Sequence, residues 1–133
     1  MKIKVSEATG PVLDWMVAKC LGADFVHNDR EYSTISDKVW ARGGSQERRY
    51  STDWSQGGPI IEREQMFVIP WNQVPDSTRK YPFKAEDWKA QTYRQGVYQD
   101  SEAQYGHTPL IAAMRCFVAS KLGDEVEVPD ELT

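Results

Sequence analysis

Gly106-His107-Thr108-Pro109-Leu110-Ile111-Ala112-Ala113-Met114-Arg115-Cys116-Phe117-Val118-Ala119-Ser120-Lys121-Leu122-Gly123 reads as one buried helix, around which the rest of the chain has to be arranged. Thr108 is a competent N-cap and Pro109 suits the first helical position, where its missing N–H costs nothing. Leu110 to Leu122 is apolar on almost every side, the pattern of a central helix. Gly123 supplies the stop. A second decorated helix start lies at Tyr50-Ser51-Thr52-Asp53-Trp54-Ser55-Gln56-Gly57-Gly58-Pro59. Both starts carry more polar and glycine residues than a cap requires. Helix starts matter because they offer unbonded backbone N–H groups to a ligand.

A third helix is expected from Thr9-Gly10-Pro11 to Gly22. Leu13, Met16, Val17, Cys20 and Leu21 form its apolar stripe, and Trp15 lies off that stripe beside Lys19. Ile3 and Val5 alternate with lysines as in a short strand with one covered face. Phe25-Val26, Val39-Trp40 and Met66 to Ile69 are further strand candidates. Arg42 to Gln46 reads as a loop. The second helix should run from a cap at Asp53 or a neighbour to about Glu64 or Gln65. Pro70 to Asp87 is a long proline-rich loop. Lys89 to Tyr93 and Gly96 to Gln99 pair as a hairpin around Arg94-Gln95-Gly96. About three helices with short strands between them give an α+β class, a single domain with a small, mostly antiparallel sheet.

At 133 residues, 40% of them hydrophobic and 27% charged, the composition is that of one ordinary globular domain. The formal net charge of −4 is unevenly placed. Residues 124–133 hold Asp124, Glu125, Glu127, Asp130 and Glu131 with no base, and are expected to form a solvated acidic tail beyond a domain at 1–123. The near-neutral remainder argues against nucleic acid as a partner, since duplex binding needs a basic footprint. No apolar run approaches the ~18 residues of a membrane span. The N-terminal residues show no signal-peptide pattern, so a cytoplasmic protein is expected. Cys20 and Cys116 sit in apolar helical patterns and read as small buried hydrophobes. Two histidines and two scattered cysteines provide no metal-ligand spacing, and no cofactor motif is present.

Within the second helix, Trp54, Gly57, Gly58 and Ile61 share one face. Two consecutive helical glycines cost roughly 2 kcal/mol relative to alanines, so something must offset them. Close packing is one reading. A slot for a flat group beside Trp54 is another. A later helix start, with Gly58 as cap and Pro59 first, is the third. Asp53 and Gln56 resemble a capping box. The spare hydroxyls of Ser51 and Thr52 either tie the incoming loop or bind a ligand. His107 is a loop donor or a general base, but no nucleophile motif accompanies it. Arg115 is the one charge in the apolar part of its helix, either an edge residue with its head in water or a partner for a carboxylate or anionic ligand. Arg48-Arg49-Tyr50, with Lys38 and Arg42 upstream, is the most basic neighbourhood, diluted by Asp37 and Glu47. Trp71 and Trp88 border the proline-rich loop and are candidates for an exposed aromatic patch.

The runs Tyr50 to Trp54, Gly57 to Glu62 and Gly106 to Arg115 resemble the NinX-type phage proteins of temperate phages and prophages of enteric bacteria. Asp14 to Ala18 and Leu122 to Val126 also fit. The resemblance implies a phage α-β-α sandwich and no known activity. On these grounds a non-enzymatic phage accessory protein is expected, binding a small ligand or a host protein. Its candidate binding residues are Arg49, Tyr50, Ser51, Thr52, Asp53, Trp54, Gly57, Gly58, His107, Thr108 and Arg115. A nucleotide-derived signal of host defence is one concrete ligand class. Two other readings stand beside it: a nucleotide-acting enzyme using His107 and Asp53 as acid and base, and an interaction module using Trp71, Trp88 and the acidic tail. A homo-oligomer is compatible with all three.

Overall fold

The long apolar run folds as read. In a computed structural model, which describes residues 1–21, 32–35, 38–41, 47–70, 88–94 and 97–132, helix α3 spans Pro109–Leu122. The Thr108 side chain accepts the Ile111 N–H at 3.1 Å. Gly123 follows with φ 88, a left-handed conformation that favours glycine. Leu110, Ala112, Ala113, Met114, Cys116, Phe117 and Val118 are all buried. Helix α1 (Gly10–Cys20) packs against α3, and helix α2 (Trp54–Arg63) does so too.

Three strands cover another side of α3. They are β4 (Phe67–Pro70), β5 (Trp88–Arg94) and β6 (Val97–Gly106), ordered β4-β5-β6 and antiparallel throughout. The expected hairpin is there, with Arg94 opposite Val97. Its second strand continues well past Gln99. The polar run Asp100 to Gln104 has little strand propensity of its own, and the pairs Thr92–Gln99 and Ala90–Gln104 on either side of it anchor it to β5. The register slips between Ala90 and Thr92, so β6 carries extra residues there as a bulge. Pro70 falls inside β4, at the end of an outer strand, where a missing N–H is tolerated.

Two smaller antiparallel pairs complete the described fold. β2 (Tyr32–Ile35) pairs with β3 (Lys38–Ala41), which contains the expected Val39-Trp40 strand. β2 itself was not legible in the irregular stretch before it. Gly22, Phe25-Val26, the 42–46 loop and residues 71–87 lie outside the described residues. β1 (Lys2–Lys4) pairs with β7 (Glu125–Glu127). Val5 leaves the strand for a 3-10 turn, Val5–Glu7, where it is fully buried.

That last pairing corrects the expectation of a solvated acidic tail. Residues 125–128 alternate acid and valine, and Val126 and Val128 are buried in the core while the acids face out. Lys2 stands opposite Glu127 and Lys4 opposite Glu125, so opposite charges face each other across the ladder. The architecture is thus α+β: among the described residues, three α-helices and small antiparallel sheets form one domain around α3.

Candidate functional site

The stretch leading into α2 is tied down from several sides. The Arg49 carbonyl accepts the Thr52 and Asp53 N–H groups at 3.2 and 2.8 Å. Asp53 is the N-cap, but its carboxylate accepts the backbone N–H and hydroxyl of Ser55 at 2.9 and 2.6 Å. Gln56 does not close a capping box. Its Oε1 accepts the Arg49 N–H at 2.9 Å and its Nε2 donates to the Glu47 carbonyl at 3.3 Å, so it clamps the incoming chain one turn further back. The Asp53 N–H that a box would use is already bonded to Arg49.

Ser51 resolves the question of the spare hydroxyls in favour of the fold. Both its N–H and its Oγ donate to Asp14 Oδ1 of α1, at 2.9 and 2.7 Å, and both residues are buried. Asp14 is the residue that reading the sequence missed. The signal was present: an acid amid the apolar positions of α1, the same anomaly that singled out Arg115. Burial pushes the Asp14 carboxyl up to about 6, against the two Ser51 hydrogen bonds that favour its charge. Thr52, by contrast, is exposed.

The helix starts at Trp54, which removes the reading with Gly58 as cap. Gly57 is buried and meets the start of α3. A Cβ there would collide with the Tyr50 carbonyl and lie 2.6 Å from Leu110 Cδ1. The two helix starts therefore do converge, and the gap that Gly57 leaves is filled by Leu110 and backbone. Tyr50 is itself buried, 5% exposed, and is not placed to stack on a ligand. Gly58 is different: a Cβ there would meet only Trp54 Cε3, at 3.8 Å. Trp54 is 55% exposed, and Arg49, five residues before it, is exposed as well. Trp15 is buried with Lys19 Nζ 5.2 Å over its ring, and Trp88 is half-buried against the core.

At the start of α3, Thr108 is accounted for as the cap. Gly106 is needed for a close approach: a Cβ would lie 2.7 Å from Ile111 Cγ2 and 2.9 Å from the Ala112 nitrogen. His107 is exposed between them. Arg115 is half-buried and two of its guanidinium nitrogens are engaged by the fold. Its Nε donates to the Ala8 carbonyl at 2.9 Å and its Nη1 to the Tyr105 carbonyl at 2.7 Å, which ties the chain before α1 to the end of β6.

The chemistry open to this arrangement is limited. Hydrogen bonds from Ser55 hold the Asp53 carboxyl below its ordinary range, which makes it a weak proton acceptor at neutral pH. Burial pushes the Cys20 thiol up to about 12, far from a reactive thiolate. Among the described residues no group of three histidines, cysteines or acids is placed to hold a metal ion, and no helix is long and apolar enough to cross a membrane. An open cleft of about 340 Å³ is lined by Lys4, Ser6, Gln104, Asp124 and Glu125, a mixture of both charges with no single sign to select a ligand. What stays outward at the paired helix starts is Trp54 with Gly58 at its side, Arg49, Thr52 and His107.

No curated protein matches the chain. The family model described as Bacteriophage P22, NinX matches it over residues 4–121, which takes in both helix starts, Asp14 and Arg115. With that match spanning nearly the whole chain, the protein belongs to the phage NinX family.

Proposed function

We propose that this phage protein is a non-enzymatic binding protein whose contact surface is the exposed start of α2. The carrying observation is Trp54, 55% exposed on a helix whose neighbouring residues Ser51, Asp53, Gln56 and Gly57 are all committed to the fold. A large aromatic left in solvent on an otherwise anchored element is a typical binding hot spot. Gly58 leaves one edge of the indole uncrowded, so a flat group can lie against it. Arg49, in the segment before α2 and tied through its backbone N–H to the Gln56 side chain, supplies a cation for an anionic group. A small nucleotide-derived ligand fits these two contacts, and sequestering such a signal would protect the phage from host defence. A host protein anchored on the same tryptophan is the alternative occupant.

Thermal scanning against a panel of nucleotides tests the reading. At least one compound is expected to raise the melting temperature and quench tryptophan fluorescence. Trp54→Ala should abolish both effects while changing the unliganded stability by less than about 1 kcal/mol, as for an exposed side chain. A panel without any stabilising compound sinks the nucleotide reading. If in addition wild type and Trp54→Ala captured the same host proteins, the whole surface assignment would fall.

A further inference from the structure

We propose that the Asp14–Ser51 contact is a pH-dependent latch: with Asp14 neutral it holds the segment leading into α2 against α1, and with Asp14 ionised it loosens that segment. The geometry is unusual for a structural carboxylate. Asp14 is 4% exposed, and both of its hydrogen bonds come from one residue and fall on one oxygen, Oδ1. No cation is paired with it among the described residues. A buried carboxylate without an ion pair carries a desolvation cost that two hydrogen bonds do not fully offset. The molecule can relieve that cost by protonating the group or by letting Ser51 move away and water in. Both routes act on the same contact, and pH selects between them.

The surrounding charges do not remove the tension. From the segment before α2, Glu47 disfavours ionisation of Asp14 and Arg49 favours it, the latter from an exposed position. On α3, Arg115 is held by two backbone carbonyls and Lys121 by Glu64 at 3.5 Å. β3, which also packs on α1, contributes one charged residue by sequence, Lys38. On α1 itself, Lys19 lies over the Trp15 ring. Burial pushes the Asp14 carboxyl up to about 6, whereas in an opened, hydrated segment it returns to an ordinary ~3.9. The closed form therefore binds the proton more tightly, and opening becomes easier as the pH rises through about 6. Linkage makes the opening equilibrium about tenfold larger at pH 7.5 than at pH 5.

Amide hydrogen exchange reads this directly, because the Ser51 N–H is one of the two latch bonds. After correction for intrinsic rates, Ser51 should be less protected than Ala112 in α3 and should lose about tenfold in protection from pH 5 to pH 7.5. Asp14→Asn, which keeps an acceptor oxygen but cannot ionise, should abolish the loss. Protection that is flat with pH, an equal loss in the Asn variant, or Ser51 exchanging only as slowly as Ala112 would each overturn the proposal. Should the variant fail to fold, the Asp14 carboxyl carbon in wild type decides by NMR titration: a midpoint near 6 supports the latch and one near ~4 removes it.

Discussion

Gly57 and Gly58 are neighbours of identical chemistry, yet they face opposite surroundings. Gly57 lies against the Tyr50 carbonyl and Leu110 Cδ1, and Gly58 has only the Trp54 ring at ordinary contact distance. The helical cost of a glycine is similar at both positions, so the difference between them is steric. Gly57→Ala should destabilise the protein by about 1–3 kcal/mol through overpacking against backbone that cannot move away. Gly58→Ala should be neutral or stabilising by up to about 1 kcal/mol. Urea unfolding of the two variants side by side checks the pair. Equal losses would mean that the close approach of α2 to α3 is not what fixes Gly57. The sequence announced that two helical glycines need a reason. It could not say that the reasons differ, because the side chain that closes on Gly57 and not on Gly58, Leu110, comes from the start of α3.

At the scale of elements, caps and stops were legible because they are local. Thr108, Pro109 and Gly123 bracket α3, and Asp53 opens α2, as short-range backbone chemistry requires. The ties between elements were not legible. Arg115 looked like an edge residue or an anion site, and it instead joins the Ala8 and Tyr105 carbonyls, positions remote from each other in sequence. Only a planar guanidinium on α3 reaches both acceptors at once. Arg115→Lys should keep the charge, satisfy one carbonyl and cost about 1–2 kcal/mol in urea unfolding. A variant as stable as wild type would show that the staple is dispensable. At the far end of α2, Glu64 pairs with Lys121, and Arg63 and Lys121 lie 5.8 and 6.0 Å over the Phe117 ring, so α2 is held to α3 at both ends.

At the scale of the molecule, the acidic end is part of the core. Val126 and Val128 are 5% and 3% exposed, and β7 is the partner of β1. Ending the chain after Gly123 removes that partner and the burial of two valines, each contributing about 1.5–3 kcal/mol. The loss exceeds about 3 kcal/mol, a large share of a small domain's stability, and should appear as a drop in melting temperature of ten degrees or more, on the order expected for this size. A melting temperature within about two degrees of wild type would restore the solvated-tail reading. The expected tail came from counting charge, and the alternation of valines with acids carried the better signal. By itself the sequence determined the α+β class, the three helices with the N-caps of α2 and α3, the central place of α3 and the β5–β6 hairpin. Each of these follows from periodicity and short-range chemistry. The tertiary structure alone decided that Asp14 is buried against Ser51, that Leu110 fills the gap at Gly57, that Arg115 is a staple, and that Trp54 is left in solvent. Those outcomes depend on which distant surface each side chain meets, and no local pattern encodes that surface.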